Sequence, residues 1–213
     1  GVQTCALPIC LRLVARNKYL LLIVGIVVGY EFAAAMTDYV VNVIFERAYS
    51  GEAALAQMFG RLGWIVSGVA LFTQILLVPL LLPKKRVALL IPPVAMVAAS
   101  IGLAIVPIVA VAILLSAADR GLNYSLQQVT KETLYVPLSD AEKYKAKAFI
   151  DMFVDRAAKA LSAIALMAVI LFAGVSIEIS LGVAIGALVL WLVSAYFLGI
   201  AYAEKVGPHE EER

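Results

Sequence analysis

Histidine, cysteine and charged residues are all scarce in this chain. A single histidine, His209, occurs in 213 residues, and only 15% of the residues are charged. The HExxH and GxSxG motifs are absent, which excludes the usual metal-dependent and serine hydrolase machinery. The two cysteines, Cys5 and Cys10, lie five positions apart near the start and predict no disulfide framework or metal cluster. We therefore expect no enzyme activity, no cofactor and no metal site.

The first ten residues form a separate segment on our interpretation. Residues 1–9 resemble the in-frame translation of a sequencing-library adapter, and Cys10 could straddle the junction with the insert. We predict that residues 1–10 are adapter-derived and leave them out of the fold prediction. The remainder is then interpreted as a fragment of a longer protein.

Apolar residues are unusually abundant. They make up 63% of the chain and give a mean hydropathy of +0.98, whereas an ordinary globular domain is about 45–50% apolar. A helix that crosses a membrane needs about 20 apolar residues. The sequence predicts an all-α membrane protein, with a six-helix bundle over 11–203, a cytoplasmic tail over 204–213, and helices at about 19–43, 58–82, 87–106, 107–128, 148–172 and 179–202.

Basic residues collect on one side of this predicted topology. If six helices alternate in direction, Arg47 stands alone on one side. The other side holds Arg12, Arg16, Lys18, Lys84, Lys85, Arg86, Lys131, Lys143, Lys145, Lys147, Lys205 and Arg213. Short loops rich in lysine and arginine stay in the cytoplasm. We therefore predict that both ends and the central loop are cytoplasmic, in a bacterial inner membrane.

Polar residues are unevenly distributed among the six predicted helices. The first, second, fourth and fifth carry charged or amide side chains, while the third and sixth carry none and are predicted to face lipid. The order polar, polar, apolar therefore occurs twice. Two successive three-helix units must have opposite orientations, so this order predicts the inverted repeats found in many secondary transporters.

The polar residues fall on single helix faces, because they are spaced three or four positions apart. Arg120 and Asp155 lie at about the same predicted depth on consecutive helices, which predicts an ion pair that is either structural or in contact with a solute. Glu31 and Asp38 could carry protons or cations, or could pair with a cation in the missing half of the protein. The predicted solute path comprises Glu31, Asp38, Asn42, Gln74, Arg120, Asn123, Tyr124, Gln127, Asp151, Asp155 and Lys159.

Two glycine motifs predict close helix packing. GIVVG contains Gly25 and Gly29, and GVAIG contains Gly182 and Gly186. Small residues four positions apart allow two membrane helices to approach closely. We predict a packing role for both motifs.

Two stretches around the central loop carry a family resemblance. SAADRGLNYSLQQVTKETLYVPLS (116–139) and KYKAKAFIDMFVDRAAKALSA (143–163) resemble the nucleotide transporters of the ATP:ADP antiporter type, the bacterial and plastid ADP/ATP translocases, within the major facilitator superfamily. The residues that fit the family pattern are Arg120, Asn123, Tyr124, Lys131, Glu132, Tyr135, Pro137, Lys147, Ile150, Asp151, Arg156 and Lys159.

The resemblance implies a fold and a function. It implies twelve helices in two six-helix halves, of which this chain is the C-terminal half and lacks its N-terminal partner half. It also implies that the protein exchanges ATP and ADP across a membrane without chemistry, with cationic residues holding the phosphates.

Three functions remain open on these observations. The first is alternating-access exchange of nucleotides, with the lipid bilayer and ATP or ADP as partners and no nucleic acid. The second is transport of another small solute on a major facilitator fold. The third is a membrane scaffold or partner subunit that transports nothing. A water-filled cleft lined by the predicted residues would favour transport, and a dry interface would favour the scaffold.

Overall fold

The computed structural model describes residues 7–206, except for the side chains of residues 7–9, 140, 141 and 173. Within that range the chain is helical and contains no strand. The predicted adapter segment lies partly outside it, since residues 1–6 are not described and residues 7–10 open the first helix. Of the predicted tail, residues 207–213 also lie outside the described residues.

A short first helix precedes six long ones in the described part of the chain. The short helix, α1, covers Leu7–Arg16. The long helices are α2 (Lys18–Ala48), α3 (Glu52–Leu81), α4 (Lys85–Ile105), α5 (109–133), α6 (140–173) and α7 (Ile177–Val206). Most of these exceed the predicted apolar runs, because a helix can continue beyond the apolar stretch into charged residues. The hydrophilic central loop, predicted between the helices at about 107–128 and 148–172, is therefore largely helical.

Four of the helices, α2, α3, α4 and α7, are long and apolar enough to cross a membrane. The other two long helices, α5 and α6, are interrupted by π-helical turns and carry charged residues inside their length. The predicted membrane class is supported for four helices, and the prediction of six crossings stays a prediction.

Two glycines adopt backbone conformations that other residues rarely reach. Gly51, between α2 and α3, has φ of 98°, and Gly174, after α6, has φ of 70°. Only a residue without a Cβ reaches these angles at little cost. The two glycines therefore help to set where α3 begins and α6 ends.

Three of the long helices contain a single π-helical turn: Thr73–Leu77 in α3, Asn123–Gln127 in α5 and Ile150–Val154 in α6. In α3 the turn comes just before Pro79, which cannot donate a backbone hydrogen bond and crowds the carbonyl four residues earlier. A π turn relieves that crowding. Such turns are frequent at functional sites.

Helix α2 occupies the centre of the bundle. It packs against α5, α6 and α7, while α4 packs against α5 and α7, and α3 packs against α5. If α2 is exchanged with α5, α3 with α6 and α4 with α7, every one of these helix contacts maps onto another contact in the set. Two three-helix units related by an inverted repeat would have this property.

The GIVVG motif lies in the tightest helix contact described. A Cβ added at Gly29 would lie 2.9 Å from the backbone nitrogen of Trp191, and one at Gly25 would lie 2.5 Å from Oγ of Ser194. The predicted packing role of this motif is confirmed. The prediction for GVAIG is wrong within the described residues, because a Cβ at Gly182 or Gly186 would meet no described atom within 4 Å.

The prediction that the third and sixth helices, α4 and α7, face lipid stays a prediction. In its most apolar stretch α4 is 44% buried and α7 is 39% buried, against 17% for α3. The reason is that α4 and α7 pack against each other and against α5 and α2. Helix α3 is more exposed than α4 and α7. A Cβ added at its Gly60 or Gly63 would meet no described atom within 4 Å.

The basic ends of the helices meet at one end of the bundle. Lys85, at the start of α4, donates a 2.7 Å hydrogen bond to the Tyr202 hydroxyl near the end of α7. Tyr19, at the start of α2, donates a 2.6 Å hydrogen bond to the carbonyl of Leu134 just after α5. These two contacts make α4 antiparallel to α7 and α2 antiparallel to α5.

Candidate functional site

Two adjoining cavities of about 200 and 570 Å³ lie among α2, α5 and α6. Both are lined by Tyr30, Glu31, Asn123, Tyr124 and Lys159. The π turn of α5 supplies Asn123 and Tyr124, so the helix distortion sits at the cavity wall. Charged and aromatic side chains from three helices therefore surround one open space.

The first ion pair in this space joins α5 to α2. Arg120 Nη2 lies 2.9 Å from Asp38 Oδ1, and the two side chains are 38% and 39% exposed. The predicted pairing of Arg120 with Asp155 is wrong. The sequence argument matched depth along consecutive helices, but α2 packs against both α5 and α6 and presents its own carboxylate to Arg120.

The second ion-pair cluster joins α6 to α2. Lys159 Nζ lies 2.8 Å from Asp155 Oδ2 on its own helix and 3.7 Å from Glu31 Oε1. The lysine side chain is 58% exposed, whereas that of Glu31 is only 11% exposed. The cation therefore faces the open cavity, while one of its carboxylate partners is held in the wall.

Two more bridges join α5 to α6 toward the basic end of the bundle. Lys131 Nζ lies 2.7 Å from Asp151 Oδ1, and Lys147 donates a hydrogen bond to Glu132. Each of these charges has a partner on the neighbouring helix, which offsets the cost of placing it inside an apolar bundle.

The neutral polar groups at the cavity are held in place as well. Asn123 Nδ2 donates a 2.6 Å hydrogen bond to the Tyr30 hydroxyl, and the Tyr30 ring packs edge-on against Trp191 with centroids 5.3 Å apart. Asp119 also lines the larger cavity. It is only 4% exposed, and its Oδ1 has no hydrogen-bond partner among the described residues.

The structure brings most of the predicted site residues together. Eight of them line the two cavities: Glu31, Asp38, Arg120, Asn123, Tyr124, Gln127, Asp155 and Lys159. Asp151 is connected through its bridge to Lys131. Asn42 lines neither cavity. Gln74 is exposed on the surface of α3, because the buried face of α3 is a different one that carries Leu62.

Sequence reasoning passed over Tyr30, Lys131 and Asp119 as site residues. For Tyr30 a signal was available, because it precedes Asp38 by eight positions and thus lies on the same helix face two turns away. Asp119 precedes Asn123 by four positions and could have been found in the same way. Lys131 was assigned to the hydrophilic loop, although α5 continues as far as Thr133.

An apolar helical bundle with a charged cavity among three of its helices is typical of the proteins that move polar solutes across membranes. The family described as TLC ATP/ADP transporter matches residues 94–202, more than half of the chain. The chain therefore belongs to this family of nucleotide transporters. No protein of curated function and no solved structure matches it.

Proposed function

We propose that this chain forms the C-terminal half of a transporter that exchanges ATP for ADP by alternating access, with the cavity among α2, α5 and α6 as its part of the solute path. The observation that carries the proposal is the exposure of Lys159 and Arg120 to that cavity. Both belong to a chain of the ATP/ADP transporter family. A nucleotide needs such cations, because its phosphates carry most of its charge.

The ion pairs give the cavity a way to respond to its solute. Arg120 is paired with Asp38, and Lys159 with Glu31 and Asp155. A phosphate group would compete with these carboxylates for the two cations. Because the two bridges to α2 link it to α5 and to α6, weakening them would loosen the helices that wall the path.

An aromatic side chain stands next to the cations. Tyr124 lines both cavities and is 70% exposed, so its ring is accessible. Aromatic rings of this kind stack on nucleobases. We assign the adenine contact to Tyr124 and the phosphate contacts to Arg120 and Lys159, with Asn123 and Gln127 as neutral hydrogen-bonding groups beside them.

We further propose that all six long helices cross the membrane as two inverted three-helix units of a major facilitator fold. The exchange symmetry of the helix contacts supports this arrangement. Helices α5 and α6 carry more charged residues than an ordinary apolar membrane span. Most of these residues form salt bridges or line the cavity. We also propose a bacterial inner membrane, with both termini and the central loop in the cytoplasm. The orientation is supported by the basic residues at the helix ends, because short loops rich in lysine and arginine stay in the cytoplasm.

A scaffold without transport activity is the competing function, since most of the cavity charges already have a partner. Transport of another anionic solute is a further alternative. Labelled uptake separates the three. The reading frame should be extended upstream, and the complete protein reconstituted into liposomes that contain ADP and receive labelled ATP outside.

We expect ATP uptake that requires internal ADP, and a loss of uptake in Lys159→Ala and Arg120→Ala. Glu52→Gln, which changes an exposed carboxylate at the start of α3, serves as the matched control and should leave uptake intact. Uptake of a different anion without nucleotide exchange would establish the second alternative. Absence of any uptake by a folded protein would favour the scaffold.

A further inference from the structure

A further cavity lies away from the candidate solute path. It has a volume of about 820 Å³ and is formed by the C-terminal ends of α2 and α4, the connection 106–108 and the first turns of α5 and α7. The walls are apolar apart from two charged side chains, Arg47 and Glu178. We call this cavity the end groove. Nothing in the nucleotide exchange proposed above uses it.

The open glycine motif belongs to this groove. Gly182 lines it, and a Cβ at that position would meet no described atom within 4 Å. The sequence pattern GVAIG predicted a helix contact here, and no described helix makes it. The missing side chain at Gly182 therefore leaves space in the groove rather than allowing a neighbouring helix to approach.

The groove runs from charged helix ends into an apolar interior. Its two charges stand in the last turn of α2 and the first turn of α7, where a helix that spans a membrane reaches the headgroup region. From Glu178 the apolar wall continues to Ile185, seven residues and about 10 Å along the helix. An acyl chain could lie along this wall with its polar end at the mouth.

The two charges have opposite signs and do not neutralise each other directly. Arg47 forms no ion pair among the described residues, and Glu178 Oε2 accepts a 3.1 Å hydrogen bond from the Ser176 hydroxyl. A ligand with one positive and one negative group would match the two charges. Arginine matches a phosphate through its planar fork of donors, and a carboxylate accepts hydrogen bonds from a primary ammonium.

We propose that the end groove binds a zwitterionic phospholipid with a primary ammonium headgroup, its phosphate on Arg47, its ammonium on Glu178 and one acyl chain along Gly182 and Ile185. A phosphatidylethanolamine has this chemistry. Phosphatidylcholine shares the phosphate but lacks N–H donors for Glu178, and phosphatidylglycerol lacks the cation. The groove thus distinguishes the three lipids by charge and by hydrogen bonding.

The test measures lipid retention and does not depend on transport. The purified protein is exchanged into mixed micelles with phosphatidylethanolamine, phosphatidylcholine and phosphatidylglycerol in equal amounts, and bound lipid is counted by native mass spectrometry. Gly182→Leu fills the groove. Gly186→Leu is the matched control, since this glycine is equally open, lies one turn further along α7 and does not line the groove.

We expect the unchanged protein and Gly186→Leu to retain phosphatidylethanolamine preferentially, and Gly182→Leu to lose it. Arg47→Gln should weaken retention of every phospholipid about tenfold, as expected for one charge-assisted contact. Glu178→Gln should remove only the preference over phosphatidylcholine. Equal retention in the two leucine variants, or equal binding of the three lipids by the unchanged protein, would overturn the proposal. So would a groove filled by detergent or by a protein segment in place of lipid.

Discussion

The salt bridge between Arg120 and Asp38 can be tested directly, because the sequence alone predicted a different partner for Arg120. We expect Arg120→Ala and Asp38→Ala to be coupled in a double-mutant cycle, because the two side chains form a 2.9 Å bridge. Arg120→Ala and Asp155→Ala should then be nearly additive. The second cycle is the matched control, since Asp155 is a carboxylate of the adjoining cavity and its ion-pair partner is Lys159.

The size of the coupling follows from distance and exposure. Two unit charges 4 Å apart attract by about 4 kcal/mol at an effective dielectric constant of 20. The side chains of this bridge are 38% and 39% exposed, and exposed pairs contribute only about 0.2–1 kcal/mol. Breaking a buried pair costs about 3–5 kcal/mol. A partly exposed bridge lies between these limits, so we expect a coupling of about 1–2 kcal/mol, which corresponds to a factor of about 5–30 in the unfolding equilibrium.

The assay is unfolding of the purified protein and its variants in mixed micelles of increasing denaturing detergent. It requires no assumption about the transported solute. The charge-swapped pair Asp38→Arg with Arg120→Asp should recover part of the stability lost in either single charge reversal. A coupling of Arg120 to Asp155 that exceeds its coupling to Asp38 would refute the structural assignment.

Three further predictions concern other parts of the molecule. Lys159→Ala should weaken nucleotide binding by about tenfold or more in a direct titration, because it removes a charge-assisted contact. An unchanged affinity would show that Lys159 does not contact the phosphates. Gly29→Leu should destabilise the bundle by about 1–3 kcal/mol through overpacking, because its Cβ would lie 2.9 Å from Trp191. Gly186→Leu is the control and should leave the stability nearly unchanged in the same unfolding assay. Burial raises the pKa of the Tyr135 phenol above its usual range. The unfolded chain therefore loses that proton first as the pH rises above about 10, and stability falls there. Tyr135→Phe should flatten this alkaline loss in melting curves recorded between about pH 9 and 11, and an identical slope would contradict the burial of the phenol.

The site is partly predictable from sequence because polar residues inside an apolar helix must share a face. The spacing of Glu31, Asp38, Arg120 and Asn123 was enough to predict that they meet. The spacing could not show that Gln74 lies outside the cavity. Helix α3 contacts its neighbours through a different face, and which face a helix buries depends on where its partners stand.

What the sequence determined by itself is local: the approximate extent and number of the long helices, the turns after α2 and α6 at glycine, and the collection of basic residues on alternating connections. Each follows from hydropathy, charge or backbone freedom within a short stretch of chain. Only the tertiary structure decided the ion-pair partners of Arg120 and Lys159, which glycine motif makes a helix contact, and the exposure of α3. The ion pairs depend on α2 lying between α5 and α6, the glycine contact depends on α7 packing against α2, and the exposure of α3 depends on its packing mainly against α5. The packing of the whole bundle sets these placements, and no single segment of the sequence specifies them.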